Sequence, residues 1–184
     1  ITEGATCHYT WYVPQNVEGL FQVINNSGQN VIARLDRMFD EGLYWHGNEP
    51  CHQIAYLYNK AGAPWKTQQR IHHILNTEYN DTPGGLSGND DAGQMSAWYM
   101  FSAIGFYPVC PATPYYYIGT PSFDKVTFNL ENGRKFEIVA EGVDDDNFYI
   151  QQVDLNGKSG YFLSHDDLLK GGKLSFRMGN SPKY

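Results

Sequence analysis

The stretch Gly84-Gly85-Leu86-Ser87-Gly88-Asn89-Asp90-Asp91-Ala92-Gly93-Gln94-Met95-Ser96-Ala97-Trp98-Tyr99-Met100-Phe101-Ser102-Ala103-Ile104-Gly105 divides the chain. A glycine-rich loop with two adjacent carboxylates runs into an aromatic helix. Met95, Trp98, Phe101 and Ser102 recur at helical spacing, and Gly105 ends the run. Upstream, the pattern is helical. Val17, Leu20, Phe21 and Ile24 form one helix, closed by Asn26-Ser27-Gly28. Val31, Leu35, Met38 and Phe39 form a second, closed by Gly42. Ile54, Leu57, Tyr58 and Ala61 form a third, closed by Gly62. Pro64 opens a fourth, with Ile71, Ile74, Leu75 and Tyr79 on one face. Downstream, Pro108, Pro111, Pro114 and Pro121 punctuate a loop around a strand at Tyr115–Ile118. Lys125–Leu130 and Arg134–Ala140 alternate around Glu131-Asn132-Gly133, a strong hairpin signal. Phe148–Leu155, Asn156-Gly157 and Tyr161–Ser164 repeat that pattern, and Leu174–Met178 supplies a last strand. The expected fold is therefore mainly α with a C-terminal antiparallel β unit: helices over 1–111, strands over 112–184.

The chain has 184 residues, enough to bury a hydrophobic core without staples. Its 13 basic and 20 acidic residues give a net charge of −7, without the basic footprint of a nucleic-acid binder. No window carries the roughly 18 apolar residues of a membrane span. Charged residues are sparse and aromatic residues, at 15%, abundant, which excludes disorder. Such a composition serves a large aromatic core or a site that stacks sugars. Cys7, Cys51 and Cys110 form no CxxC pair, so one bridge and three thiols both remain open. The opening Ile1-Thr2-Glu3-Gly4 has no initiator Met and reads as the cut end of something longer.

Three carboxylate positions stand out. Asp90 and Asp91 precede a helix: one can cap it, and the other is left over. The glycines around them allow close approach to a ligand. His46-Gly47-Asn48-Glu49-Pro50-Cys51-His52-Gln53 crowds a carboxylate, an amide and two imidazoles into eight residues. Zinc is disfavoured, because there is no HExxH and the histidines are six apart. Oxygen donors on Asn48, Glu49 and Asp91 suit a hard cation such as Ca²⁺. Glu3, near Trp11-Tyr12, is either a frayed surface residue or a carboxyl whose raised proton affinity suits a general acid. A protonated acid and an ionised base are what glycoside hydrolysis requires. Asp144-Asp145-Asp146 reads as a solvated turn, and His165-Asp166-Asp167 as loop capping.

One ordered set of motifs resembles glycoside hydrolase family 92, the mostly bacterial α-mannosidases. It comprises Gly47-Asn48-Glu49-Pro50 with His52, Tyr56-Leu57-Tyr58-Asn59, Lys66-Thr67-Gln68, Gly88 through Tyr99, and Gly105-Phe106-Tyr107-Pro108. Ile118-Gly119 with Pro121, and Leu155-Asn156-Gly157, extend it through the tail. The resemblance implies an N-terminal β-sandwich followed by an (α/α)6 toroid, with this chain supplying the last helical hairpins of the toroid and the terminal β segment. It implies a Ca²⁺-dependent, inverting exo-α-mannosidase that removes mannose from α-linked glycans, outside the cytoplasm of a bacterium. It assigns Glu3 as acid and Asp91, or less readily Asp90, as base. Asn48, Glu49 and Asp91 become Ca²⁺ ligands, and Trp11, His46 and Asn89 substrate contacts. Asn89 stands where some members have Asp, and Gln15-Asn16 where His-Asp is common. Glu3 favours an ordinary glycosidic leaving group over a mannosyl phosphate. The competing class is an inert fragment or a carbohydrate-binding piece.

Overall fold

The structure, a computed structural model, describes residues 3–184; Ile1 and Thr2, which open the first expected segment, lie outside the described residues. Its helices are α1 (Thr6–Tyr9), α2 (Val17–Asn26), α3 (Val31–Asp40), α4 (Leu57–Lys60), α5 (Pro64–Thr77), α6 (Gln94–Ile104) and α7 (His165–Leu169). Side-chain caps start α2 and α3: Asn16 Oδ1 accepts from the Gly19 N–H and Asn30 Oδ1 from the Ala33 N–H, each at 2.9 Å. Pro64 occupies the first position of α5, where its missing N–H costs nothing. The expected third helix is shorter than its periodicity. A 3₁₀ turn spans Ile54–Tyr56 and only Leu57–Lys60 is α-helical, with every residue from Cys51 to Asn59 buried. Tyr79 lies beyond the end of α5 and pairs with Leu86 instead.

The strands are β1 (Phe106–Tyr107), β2 (Tyr115–Ile118), β3 (Lys125–Asn129), β4 (Lys135–Glu141), β5 (Tyr149–Leu155), β6 (Phe162–Ser164) and β7 (Gly172–Gly179). They form an antiparallel sheet in the order β1-β2-β6 and a second sheet in the order β3-β4-β7-β5. The β3–β4 hairpin turns at Asn132-Gly133 as the sequence predicts. Two expectations fail. The β unit is not purely antiparallel, because β4 and β7 run parallel. A parallel neighbour needs a long crossover, and residues 142–171, with β5, β6 and α7, provide it. The Asn156-Gly157 turn forms, with Leu155 bridging Lys158, but β6 leaves to pair with β2 rather than returning along β5. His165-Asp166-Asp167 opens α7, and Ser164 Oγ accepts from the Asp167 N–H at 3.0 Å. Asp144 accepts from the Asp146 and Asn147 N–H groups, a turn as expected. The three cysteines are free thiols.

Two cores result. One gathers Val17, Ile24, Leu35, Met38, Ile54, Ile71, Ile74 and Trp98 from the helices. The other gathers Phe136, Ile138, Ile150, Leu163, Leu174 and Phe176 from the strands. Buried amides join them. The Ile150 N–H donates to Gln68 Oε1 at 2.9 Å, and Asn59 Nδ2 donates to the Ile118 carbonyl at 2.7 Å. These bonds satisfy main-chain groups that neither sheet pairs.

Candidate active site

Two loops meet main chain to main chain. A methyl group on Gly47 would sit 2.6 Å from the Ser87 carbonyl oxygen, and one on Gly88 would overlap the Gly47 carbonyl. Only glycine at both positions permits the contact. It brings the segment carrying Glu49 against the segment carrying Asp91.

The two adjacent aspartates then separate by function. Asp90 Oδ1 accepts from Ser96 N–H and Ser96 Oγ, each at 2.9 Å, and so caps α6. Asp91 takes a left-handed conformation (φ 47°), followed by Ala92 (58°) and Gly93 (91°). The Gln94 N–H closes this turn on the Asp91 carbonyl at 3.2 Å. Glu3 is left-handed as well, at 57°. Such a backbone costs about 1–2 kcal/mol per residue. Among the described residues four non-glycine positions have positive φ; Glu3, Asp91 and Ala92 border this site, and Asn156 is a hairpin turn. Strain of this kind persists where surrounding structure holds it.

Glu49 is the electrostatic centre. Burial first, then a hydrogen bond to Asp91 and the charges of Asp91 and Glu3, hold its carboxyl above the usual range, against a main-chain hydrogen bond that lowers it. Glu3, Glu49 and Asp91 are thus brought together. Asn48 ties the first two segments: its Nδ2 donates to the Glu3 carbonyl at 2.7 Å and its Oδ1 accepts from the Glu49 N–H at 3.1 Å. His8 adds a second tie. Its Nε2 donates to the Leu43 carbonyl at 2.7 Å, while its Nδ1 accepts from the Ala5 N–H at 3.0 Å.

Trp11 and His46 are buried and present no open surface to a ligand. Trp11 is 1% exposed, part of the helical core, with the Arg34 guanidinium over its ring at 5.8 Å. His46 is fully buried, and its Nδ1 and Nε2 are each 2.7 Å from a phenol oxygen, those of Tyr44 and Tyr79. Burial, with His52 beside it, pushes His46 down to about 2; His52 is likewise pushed down by burial, to about 4. Both rings are neutral scaffold. Their residue type drew attention, but burial is not legible from type. Asn89 is exposed beside Asp90. Among the open aromatic rings are Tyr12, 51% exposed, and Trp45, 39% exposed. The Trp45 ring lies 6.4 Å from that of His8 and closes on Gly47. Trp45 directly precedes His46 in the sequence and was not singled out there.

All donors at this meeting point are oxygen, and the mutual repulsion of Glu49 and Asp91 is what a divalent cation relieves, so a hard cation such as Ca²⁺ fits. Among the described residues no group of three or more His, Cys, Asp and Glu is spaced to hold a metal ion, and most of the Asn48 amide is spent on protein partners. A cation here would take Glu49 and Asp91, with main-chain, water and sugar oxygens completing its shell. Two clefts of about 450 Å³ open elsewhere, one between Lys60 and Phe162 and one between Leu75 and Met100; neither is lined by the three carboxylates. Among the described residues no helix is long and apolar enough to cross a membrane.

The profile of the glycosyl hydrolase family 92 catalytic domain matches residues 1–180. An uncharacterized secreted glycosidase of Arthroderma benhamiae is 31% identical over 174 residues, which are 92% of this chain and 22% of that protein. Among solved structures, the family 92 α-mannosidase BT3965 of Bacteroides thetaiotaomicron is 47% identical with a TM-score of 0.91, over 100% of this chain and 26% of that one. The inverting mannosidase BT2199 of the same organism is 39% identical with a TM-score of 0.89, over 98% and 28%. The chain therefore spans about a quarter of the length of its solved relatives.

Proposed function

Because the chain belongs to glycosyl hydrolase family 92, we propose that it carries the acid, the base and the cation-binding carboxylates of an inverting exo-α-mannosidase. The observation that carries the proposal is the meeting of Glu49 with Glu3 and Asp91, the latter two each on left-handed backbone, with Asp90 withdrawn as a helix cap. Glu3 protonates the leaving oxygen. Asp91 takes a proton from water that attacks the anomeric carbon from the opposite face. A single displacement requires room for that water, so the two carboxyls should lie roughly 6.5–9.5 Å apart in the productive complex. Glu49 and Asp91, with Asn48 beside them, would hold Ca²⁺, which supplies positive charge for the mannose O2 and O3 hydroxyls. Glu49 feels the charge of both working carboxyls. Tyr12 and Trp45 offer open aromatic faces for sugar rings.

The reading extends to the whole polypeptide. The helices form the end of an (α/α)6 toroid, and a β-sandwich elsewhere in the polypeptide completes the sugar pocket. The enzyme acts outside the cytoplasm of a bacterium on α-mannosides, α-1,2-linked ones among them. The secreted fungal relative and the Bacteroides structures support that setting.

The test is a proton NMR time course of the full-length polypeptide on α-1,2-linked mannobiose, with Ca²⁺ and with EDTA. Early β-mannose, abolished by EDTA and restored by Ca²⁺, is expected. Early α-mannose would overturn inversion. No release from any α-mannoside would overturn the activity.

A further inference from the structure

We propose that Gln94 is a positioning residue: through its main-chain N–H and its side-chain amide it ties the strained Asp91 turn to the wall behind Glu49, and so sets the spacing of the two carboxyls. The proposal rests on the functional reading above for its effect on catalysis; the tether itself is a matter of hydrogen-bond chemistry.

The main-chain half is the closure of the Asp91–Gln94 turn, described above. The side-chain half follows from proton bookkeeping. His52 Nε2 lies 3.1 Å from the His46 carbonyl oxygen, which can only accept, so the imidazole hydrogen is on Nε2. That nitrogen also faces Met95 Sδ at 3.2 Å, a weak acceptor. His52 Nδ1 is then an acceptor. The group that faces it, at 3.5 Å, must be the NH₂ of Gln94. The second hydrogen of that NH₂ reaches the Tyr107 hydroxyl at 3.2 Å. Both donors of one amide are committed, and its orientation is fixed by chemistry as well as by shape.

Each accepting residue has an anchor of its own. The His52 carbonyl accepts from Trp98 Nε1 at 2.9 Å, and the Tyr107 ring stacks on Tyr56 with centroids 5.1 Å apart. His52 lies three residues after Glu49 in the same turn-rich segment, and Gln94 three after Asp91. Burial chiefly raises the Tyr107 phenol, and the Glu49 charge adds to it, which puts that hydroxyl in the field of the carboxylate. One amide therefore spans from the Asp91 turn to both structures that back Glu49. A displacement near 1 Å at a reacting group costs on the order of a hundredfold in rate.

Gln94→Leu keeps the size and loses both donors; Tyr107→Phe removes one acceptor and leaves the ring in place. In the full-length polypeptide, amide hydrogen exchange over residues 89–96 is followed together with kcat and KM on an α-mannobiose. For Gln94→Leu we expect exchange there to rise about tenfold while residues 135–141 are unchanged, and kcat to fall ten- to a hundredfold with KM within about threefold. Tyr107→Phe should show a smaller effect of the same kind, and the double variant should be no worse than Gln94→Leu alone. Unchanged exchange over 89–96, an unchanged kcat, or fully additive losses in the double variant would overturn the proposal. If the unsubstituted polypeptide cleaves no α-mannoside, the functional reading falls and the exchange arm decides the tether by itself.

Discussion

The strand core and the helical core are built from different materials. Phe136, Ile138, Ala140, Leu163, Leu174 and Phe176 make the former a hydrocarbon interior. The latter encloses His46, His52, Gln53, Asn59, Thr67, Gln68 and Ser102 among its aromatic and aliphatic side chains. Apolar burial is non-directional and supplies stability in proportion to area. A buried polar group is costly unless its partner stands at one distance and angle, so a satisfied network specifies position. The difference teaches where each job is done: the strands supply area, and the helical half holds two loops in register. Everything nominated for chemistry lies on the loops of the second kind.

The sharpest break in that comparison is at the carboxylates. Glu3→Gln and Asp91→Asn in the full-length polypeptide should each lower kcat on an unactivated α-mannoside by about 10²–10⁴-fold, the usual contribution of a general acid or base. Thermal unfolding should be unmoved or slightly raised, since like charge around Glu49 is relieved. A large fall in unfolding temperature would mean these groups are structural. At the opposite pole, Phe136→Ala, in a fully buried site, should cost about 3–5 kcal/mol in urea unfolding. Activity per folded molecule should stay constant; a matching loss of kcat would erase the distinction between the regions.

Acid sharpens the comparison from the helical side alone. His46 and His52 prefer the neutral form in the folded protein, at about 2 and about 4 against 6.5 when free. Their contribution is full above pH 6.5 and is lost as pH falls, at about 1.4 kcal/mol per pH unit for each ring. Both rings act between pH 6.5 and 4, and below that His46 acts alone. Local exchange protection around Trp98 should collapse in this window before that of β4 and β7; simultaneous loss would show one cooperative unit. The smallest effect belongs to the strand turn. Gly133→Ala, at φ 77°, should destabilise by about 1–2 kcal/mol and leave kcat unchanged.

The helices were readable because Leu35, Ile71, Trp98 and their neighbours recur at the helical period, and that period is local. Asn132-Gly133 announced its hairpin for the same reason. Asn156-Gly157 announced a turn correctly but not the partner of the next strand. Tyr161–Ser164 can pair with any free edge, and β2 was the one within reach. The parallel β4–β7 pairing is likewise a tertiary choice without a local signature. At the site, two carboxylates with work for one cap were visible in Asp90-Asp91. Which of them capped was decided by the left-handed turn at Asp91, and glycine supplies that turn only at its third residue. That Trp11 and His46 are buried was not legible, because an aromatic or imidazole ring looks the same in a core as in a pocket.

The contact between Gly47 and Gly88 has a bearing on how such a site can be diversified. Its gauge is a main-chain thickness, which no side chain trims or pads. Exposed residues such as Tyr12 and Asn89 can be exchanged without resetting it. A library meant to shift preference among sugars should therefore randomise such residues and leave the two glycines alone. Most of its members would keep the carboxyl spacing of the parent, so that screening reads substrate fit and not the wreckage of a displaced loop.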